Sequence, residues 1–307
     1  MDQKDISLFL AVVRNGNFNA AASENHLTQS TLSKRIKKLE EELGFSLFKR
    51  RKGVKNVELS SSGIEFVSYA QRFQGLFRDL DNLRVKEYQP ALQVGALDSI
   101  QPLTLRLSER IYQEKSDMRL RIHVRNSGAV YNELDRCLLD IGFSNLNLNY
   151  PSVQKTFLFS EPFVVVGIED ELPVSETVSP SSLNPDREVF TAWWSPGYKE
   201  YHELHWPRHL SDRLSTSSVH LQLSMLGRGQ NCWCIMPYSL ATSLLTDPRL
   251  VIRNINPAPP PRICYLLTRT QPREDILNLQ EFFLATLHDI IHHEEPWNST
   301  TQSASKA

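Results

Sequence analysis

The stretch from Phe18 to Phe48 reads FNAAASENHLTQSTLSKRIKKLEEELGFSLF, and it decides how the N-terminal part of this chain folds. After Thr28, apolar residues recur four, three and four positions apart, a spacing that predicts one buried face on a helix. These residues are Leu32, Ile36, Leu39 and Leu43. Thr28 is suited to cap the start of this helix, and Gly44 is suited to end it.

Two shorter helices are predicted before this one, over residues 5–14 and 19–25, separated by Gly16-Asn17. After Gly44 come a basic run over 49–52 and a short strand over 57–59. Three helices followed by strand, tight turn and strand predict a winged helix-turn-helix.

The charge of the chain is unevenly distributed. The net charge is −1 overall, but residues 1–62 carry 11 basic and 7 acidic residues, and the remainder carries 23 basic and 28 acidic ones. A local excess of cations in a small module is typical of a surface that contacts phosphates. The charge pattern therefore predicts one small DNA-binding module and a larger module with another task.

The same block resembles the LysR-type transcriptional regulators. The matching elements are Gly16-Asn17-Phe18, Ala21-Ala22, Thr28 to Ser33, Ile36, Leu39-Glu40, Leu43-Gly44, Leu47 to Arg50, and Leu59 to Gly63. Asn25 stands where the family commonly has Leu, which leaves open how the second and third helices pack. The resemblance is specific over about the first 65 residues and extends more weakly to the whole chain.

The face of the third helix opposite the apolar stripe carries short hydrogen-bonding side chains followed by cations. In a helix that enters the major groove, such residues near the N-terminus contact base edges, and cations hold phosphates. The predicted DNA contacts on this helix are Gln29, Ser30, Thr31, Ser33, Lys34, Arg35 and Lys38. Arg50, Arg51 and Lys52 are expected on the DNA backbone or in the minor groove. The alternative for a basic run is a solvated face.

A long helix is predicted after Ser60 to Ser62, reaching about Tyr88. Its apolar positions repeat about every 3.5 residues, a pattern that favours a partner helix. They are Phe66, Ala70, Phe73, Phe77, Leu80 and Leu83. We expect a dimer-forming linker helix; the alternative is a helix that packs on its own domain.

After Pro90 strands and helices alternate, which predicts an α/β domain with a mostly parallel sheet. The resemblance implies two Rossmann-like lobes of the periplasmic-binding-protein type, joined by two crossovers, with a small-molecule effector between them. The predicted domains are the winged helix-turn-helix over 1–62, the linker helix over 63–89, the effector-binding domain over 90–294 and a disordered tail over 295–307. Lobe I is predicted over 90–162 and 262–294, and lobe II over 163–261.

Small and polar residues follow several predicted strands or open predicted helices in the second domain, where open α/β sheets bind ligands. The predicted effector contacts are Asp98, Ser99, Ile100, Ser127, Trp193, Ser195 and Ser218. Each is also explained by an ordinary capping or packing role. A carboxylate at Asp98 argues against a bare anion at that spot, because like charges repel.

Two other patterns are interpreted as structural. Pro207 disfavours the helix that would place His202, His205 and His209 on one face, and Cys232 and Cys234 have no second ligand pair at clear spacing. No cofactor, catalytic set or membrane segment is predicted. We expect a cytoplasmic regulator, not an enzyme, whose partners are double-stranded DNA, an effector, further copies of itself in a dimer or tetramer, and RNA polymerase. The competing hypotheses are a solute-binding protein and an α/β enzyme.

Overall fold

The computed structural model of this chain describes residues 2–49, 57–83, 90–191, 194–207, 214–226, 228, 232–244 and 246–297. The predicted contacts Arg50, Arg51, Lys52 and Trp193 lie outside these residues. The chain divides into two compact units. The first holds the residues before 90 and the stretch Asp135–Leu138, and the second holds the rest.

Three helices open the first unit: α1 (Gln3–Asn15), α2 (Phe18–Glu24) and α3 (Gln29–Leu43). Each begins at a polar cap. Asp2 forms a capping box with Asp5, and the side chains of Asn17 and Thr28 accept backbone N–H bonds at the starts of α2 and α3. α3 ends at Gly44, whose φ of 78° favours glycine. The sequence-predicted helices are thus confirmed.

Two short segments after α3 pair with each other. Phe48 and Leu59 form an antiparallel bridge, and the backbone N–H of Lys49 donates to the carbonyl of Glu58 at 2.8 Å. These two short segments are the base of the predicted wing, whose tip lies outside the described residues.

The long helix α4 (Ser61–Leu83) starts where Ser60 accepts a bond from the N–H of Gly63 at 2.9 Å. A Cβ at Gly63 would lie 2.0 Å from the carbonyl oxygen of Leu47, so only glycine allows this close approach. Phe66 and Ala70 are buried in the core of the first unit. The alternative interpretation, packing on its own domain, is therefore correct for this part of the predicted stripe.

The second unit contains two sheets. The first has the strand order β2-β1-β3-β9-β4, with β1 parallel to β2 and β3, and β9 antiparallel to both β3 and β4. Its strands are β1 (Ala91–Ala96), β2 (Arg119–Val124), β3 (Ile141–Ser144), β4 (Val153–Glu161) and β9 (Arg262–Arg269). Its helices are α5 (Gln101–Glu114), α6 (Ser127–Asp135) and α10 (Leu277–His293). We call this part lobe I.

Lobe II is built on the second sheet, of order β6-β8-β5-β7. Its strands are β5 (Phe163–Ile168), β6 (Thr177–Val178), β7 (Trp233–Pro237) and β8 (Leu250–Ile255). Its helices are α7 (Pro196–His205), α8 (Val219–Leu226) and α9 (Tyr238–Leu244). Each lobe has its own hydrophobic core.

The expectation of a mostly parallel sheet is wrong. Among the described residues, four of seven strand pairings are antiparallel: β9 with β3 and β4 in lobe I, and β5 with β7 and β8 in lobe II. Residues 157–167 do not form one strand, because they are divided at Pro162 between β4 in lobe I and β5 in lobe II. Within the described residues 188–191, isolated bridges run from Glu188 to Trp233 and from Phe190 to Ser215.

The C-terminal end differs from the predicted disordered tail. Trp297 is 4% exposed and belongs to the core of lobe I, so the prediction of disorder is wrong for residues 295–297. The large apolar surface of a tryptophan explains this, since burying it stabilises the end of the chain. The remaining tail, 298–307, lies outside the described residues.

Candidate DNA-contacting face and interlobe site

The two faces of α3 have opposite character. Leu32, Ile36 and Leu39 are at most 2% exposed and pack in the core of the first unit. Apart from Arg35, the predicted DNA contacts on this helix are exposed, and they are Gln29, Ser30, Thr31, Ser33, Lys34 and Lys38. The helix therefore presents hydroxyl, amide and ammonium groups outward, while its apolar residues fix it to the domain.

The start of α3 carries a cluster of three hydroxyl groups. The side-chain oxygen of Thr28 lies 3.0 Å from that of Ser30 and 2.8 Å from that of Thr31. Thr28 also caps the helix by accepting the backbone N–H of Thr31 at 3.2 Å. These bonds hold the three hydroxyls together at the start of the helix. Because all three residues are exposed, the hydroxyls can donate or accept further hydrogen bonds.

Arg35 differs from the other predicted contacts, because its guanidinium faces α1. Its Nη1 donates to the buried carboxylate of Asp5 at 2.9 Å and lies 3.8 Å from the carboxylate of Asp2. These two acidic groups compensate its charge. Arg35, predicted near bases or nearby phosphates, thus links α3 to α1.

Two motif positions have structural roles in the first unit. Glu40 accepts the backbone N–H groups of Leu47 and Phe48 at 2.7 and 3.2 Å, and so fixes the segment that leads into the wing. The side chain of Asn25 donates to the carbonyl of Ala21 at 2.8 Å. The polar residue that replaces the family's usual Leu thus ends α2 instead of filling the core.

The two lobes contact each other through side chains at the ends of lobe I strands. Asp98, just after β1, accepts the backbone N–H of Val219, the first residue of α8, at 2.8 Å. Asn145, just after β3, donates from Nδ2 to the carbonyl of Trp194 at 2.5 Å. Both contacts join lobe I to lobe II.

Ser127 orients Asn145. Its hydroxyl lies 2.5 Å from Oδ1 of Asn145 and accepts the backbone N–H of the same residue at 3.1 Å. Because Oδ1 is occupied in this way, the donating Nδ2 points at the carbonyl of Trp194. Ser127 is 6% exposed, so its role in this structure is to hold Asn145.

A buried ion pair joins the two crossovers between the lobes. Glu161 ends β4, Arg262 begins β9, and each is 1% exposed. Arg262 donates to the Glu161 carboxylate and to the carbonyl of Ser99 at 3.1 Å, while Glu161 also accepts the N–H of Ser239 at 2.8 Å.

The other predicted effector residues have structural roles. Ile100 is 1% exposed and lies in the core of lobe I, so its prediction as an effector contact is wrong. Ser99 is buried and contributes its carbonyl to Arg262. Ser195 caps α7 by accepting the N–H of Tyr198 at 3.1 Å, and Ser218 accepts the N–H of Leu221 at 3.3 Å at the start of α8.

Sequence reasoning missed Asn145, Glu161 and Arg262. Asn145 follows a correctly predicted strand, and the argument applied to Asp98 would have found it. Glu161 and Arg262 are separated by 101 positions, and nothing in either local sequence indicates that they pair.

The histidine prediction needs one correction. His202 and His205 lie on α7, which ends two residues before Pro207, and His209 lies outside the described residues. His202 is buried, with Nε2 2.7 Å from a Glu188 oxygen. Among the residues that the structure describes, no three His, Cys, Asp or Glu side chains are grouped to hold a metal ion.

Comparison with known proteins identifies the family. The profile described as bacterial regulatory helix-turn-helix protein, lysR family, matches residues 3–64, and the LysR substrate binding domain profile matches residues 86–286. This chain belongs to the LysR family. Its two units correspond to the two parts that the LysR profiles describe.

Individual LysR relatives match less of the chain. The regulator BenM of Acinetobacter baylyi is 27% identical over 171 residues, which is 54% of this chain and 55% of the relative. The regulator HdfR of Yersinia pestis is 35% identical over 135 residues, or 41% and 44% of the two chains. The matched stretch thus spans about half the length of these curated relatives.

Solved structures share the fold over nearly the whole chain. A full-length OxyR variant from Pseudomonas aeruginosa has a TM-score of 0.60 at 23% identity and covers 96% of both chains. CbnR in complex with its target DNA has a TM-score of 0.58 at 17% identity, covering 94% of this chain and 99% of that one. Among the described residues, no helix has the length and apolar character needed to cross a membrane.

Proposed function

We propose that this chain is a sequence-specific DNA-binding transcription regulator whose activity is modulated by a small molecule bound between lobes I and II. The observation that carries the proposal is the exposed face of α3, where hydroxyl groups at the helix start precede the cations of Lys34 and Lys38. Membership in the LysR family supports it.

The proposed division of labour follows from the chemistry of the side chains. Gln29, Ser30, Thr31 and Ser33 read base edges in the major groove, because they combine donors and acceptors at the helix start. Lys34 and Lys38 bind phosphates, as do Arg50, Arg51 and Lys52 in the wing. Arg35 acts through its pair with Asp5 and positions α3.

The proposed effector site lies between the lobes, near Asp98, Ser127, Ser195, Ser218 and Trp193. A ligand there changes DNA binding only if it binds one arrangement of the protein better than another. The polar residues at the ends of β1 and β3 support this location, since ligands of open α/β sheets bind outside strand ends.

The proposed oligomer is a dimer or a dimer of dimers in which α4 packs against α4 of a second copy. An apolar stripe on α4 supports this: Tyr69, Phe73, Leu76 and Leu80 are 37–55% exposed and lie within about 60° of one another around the helix axis. This stripe is displaced from the sequence-predicted one, and the two share Phe73 and Leu80. Phe66, Ala70 and Phe77 pack on the first unit's own core instead.

The proposal also covers the protein's location in the cell, its partners and its lack of catalytic activity. We place the protein in the cytoplasm, where DNA and RNA polymerase are its partners, and assign it no catalytic activity. A solute-binding protein is the competing function, because lobes I and II alone would serve it. The exposed polar face of α3 and the cationic first 62 residues favour the regulator.

The test is binding of the purified chain to labelled fragments from its own upstream region and from neighbouring promoters, with excess unrelated DNA as competitor. The proposal predicts a competitor-resistant complex that weakens as salt rises, since each released phosphate counterion adds to the salt dependence. Binding to every fragment no tighter than to the competitor at low salt would favour the solute-binding function.

A further inference from the structure

Besides Glu161 at the crossover, which accepts the N–H of Ser239, two side chains of lobe I bind backbone groups of lobe II directly. Asp98 accepts the N–H of Val219, and Asn145 donates to the carbonyl of Trp194. Asp98 occupies the position of a ligand acceptor, and the amide of Asn145 occupies that of a ligand donor. These two polar groups of lobe I are therefore already bound by lobe II in the protein itself.

The contact of Asp98 is favourable on electrostatic grounds. Val219 is the first residue of α8, and its N–H has no acceptor within the helix. A carboxylate there also interacts with the positive end of the helix dipole. Because a hydrogen bond to a charged group contributes more than a neutral one, this bond favours an arrangement in which the two lobes are held together.

The side chain of Asn145 is preorganised for its contact with Trp194. Ser127 holds the side chain of Asn145 by two hydrogen bonds within lobe I, so the amide does not have to be ordered when it meets Trp194. Trp194 is itself anchored, since it is 2% exposed and its Nε1 donates to the carbonyl of Ile235 at 2.9 Å. Both ends of this contact are therefore rigid parts of their own lobes.

We propose that Asp98 and Asn145 form an interlobe latch that holds lobes I and II together in the absence of any small molecule, and that an effector acts by displacing it. This inference rests on the proposed function, because it describes how the same cleft is regulated. In the state without effector, the side chains of Asp98 and Asn145 hold the lobes together. An effector therefore has to compete with these two contacts instead of entering an open cleft.

A latch and two independent contacts predict different results when one of the two side chains is removed. If Asp98 and Asn145 act together, loss of either contact lets the lobes part and breaks the other one. Removing Asn145 should then expose the N–H of Val219, although Asn145 does not bond to it. A mere cap at Asp98 would be insensitive to Asn145.

The experiment is amide hydrogen exchange on the full chain without DNA or added ligand, read at Val219 by mass spectrometry with fragmentation. The N–H of a first helical residue ordinarily exchanges fast, because it lacks an intrahelical acceptor. We expect it to be protected in the wild type and to exchange roughly tenfold faster or more in both Asp98→Ala and Asn145→Ala. Asp247→Ala, which removes a carboxylate paired with Arg249 on the surface of lobe II, is the matched control and should leave this exchange unchanged.

Fast exchange at Val219 in the wild type would overturn the latch, and so would an unchanged rate in Asn145→Ala. If Asp98→Ala loses cooperative unfolding, Asp98→Asn replaces it, since it keeps the shape and removes the charge. Because DNA is absent from this measurement, its failure would leave the DNA-binding assay untouched. Failure of that assay would overturn the proposed function without affecting the exchange result.

Discussion

The carboxylate of Asp5, 4% exposed within the first unit, accepts a hydrogen bond from Nη1 of Arg35 at 2.9 Å. This pair joins α1 to the helix whose outer face carries the proposed DNA contacts. A buried carboxylate without its cationic partner is unfavourable, because the group loses hydration and gains no compensating charge. Arg35 is therefore a positioning residue for α3.

Arg35→Ala should lower the free energy of unfolding by about 1–2 kcal/mol, less than a fully buried pair would lose because Arg35 is 36% exposed. Urea unfolding measures this change. Lys37→Ala is the control: its partner Glu41 is equally exposed, so the change should stay within about 0.5 kcal/mol. Asp5→Asn combined with Arg35→Ala should cost less than the sum of the single changes, and strict additivity would argue against the pair.

Arg51→Ala tests the phosphate contact predicted for the tip of the wing, which lies outside the described residues. Loss of one phosphate contact should weaken binding to specific and unrelated DNA alike, and should reduce the slope of log affinity against log salt by about 0.9. Titrations at several salt concentrations give the slope. An unchanged slope would mean that Arg51 does not contact a phosphate.

Leu76→Glu should break the proposed pairing of α4 helices. Leu76 is 53% exposed in the single chain, and a charge in the centre of an apolar helix interface is strongly unfavourable. Sedimentation should then show a smaller species, whereas Gln74→Glu, on another side of the same helix, should leave the oligomer intact. A wild-type chain that sediments as a monomer would contradict the proposed interface.

The thiols should differ in reactivity. Burial raises the pKa of Cys264 to about 12 and the pKa of Cys234 well above its ordinary value, so both stay uncharged at neutral pH. Cys232 is only partly buried. Brief treatment of the native protein with iodoacetamide should modify Cys232 first, and peptide mass spectrometry identifies the site. Early modification of Cys264 would contradict its buried position.

The same pKa shift has a pH consequence. Since the folded pKa of Cys264 lies above its ordinary value of 9.0, its contribution to stability is complete below pH 9. That contribution is lost as pH rises from about 9 towards 12, because the unfolded thiol ionises first.

Local patterns were sufficient to predict the first unit. The stripe of Leu32, Ile36 and Leu39, the cap at Thr28 and the end at Gly44 are all signals within one helix, and the structure places each as expected. The pairing of Arg35 was missed because its partner, Asp5, lies 30 residues earlier. The sequence pattern of α3 alone does not distinguish a cation that faces DNA from one that faces α1.

The second unit was harder to predict, because long-range pairing decides it. The segment 157–167 is divided at Pro162, and its two halves pair in different sheets, with β9 in lobe I and with β7 and β8 in lobe II. Ile100 was predicted in the cleft because it follows a strand end, but it is buried in lobe I. Asn145 contacts Trp194, which lies 49 positions later in the chain. Arg262 contacts Glu161 and Ser99, which lie 101 and 163 positions earlier.

Equilibrium binding of Thr31→Ala tests most directly whether the start of α3 reads DNA bases. The variant and the wild type are titrated against the specifically bound promoter fragment and against unrelated DNA at one salt concentration. We predict that Thr31→Ala binds the promoter about tenfold or more weakly, as expected for the loss of a base contact, and unrelated DNA almost as well as the wild type. An equal loss on both DNAs would contradict base reading by Thr31.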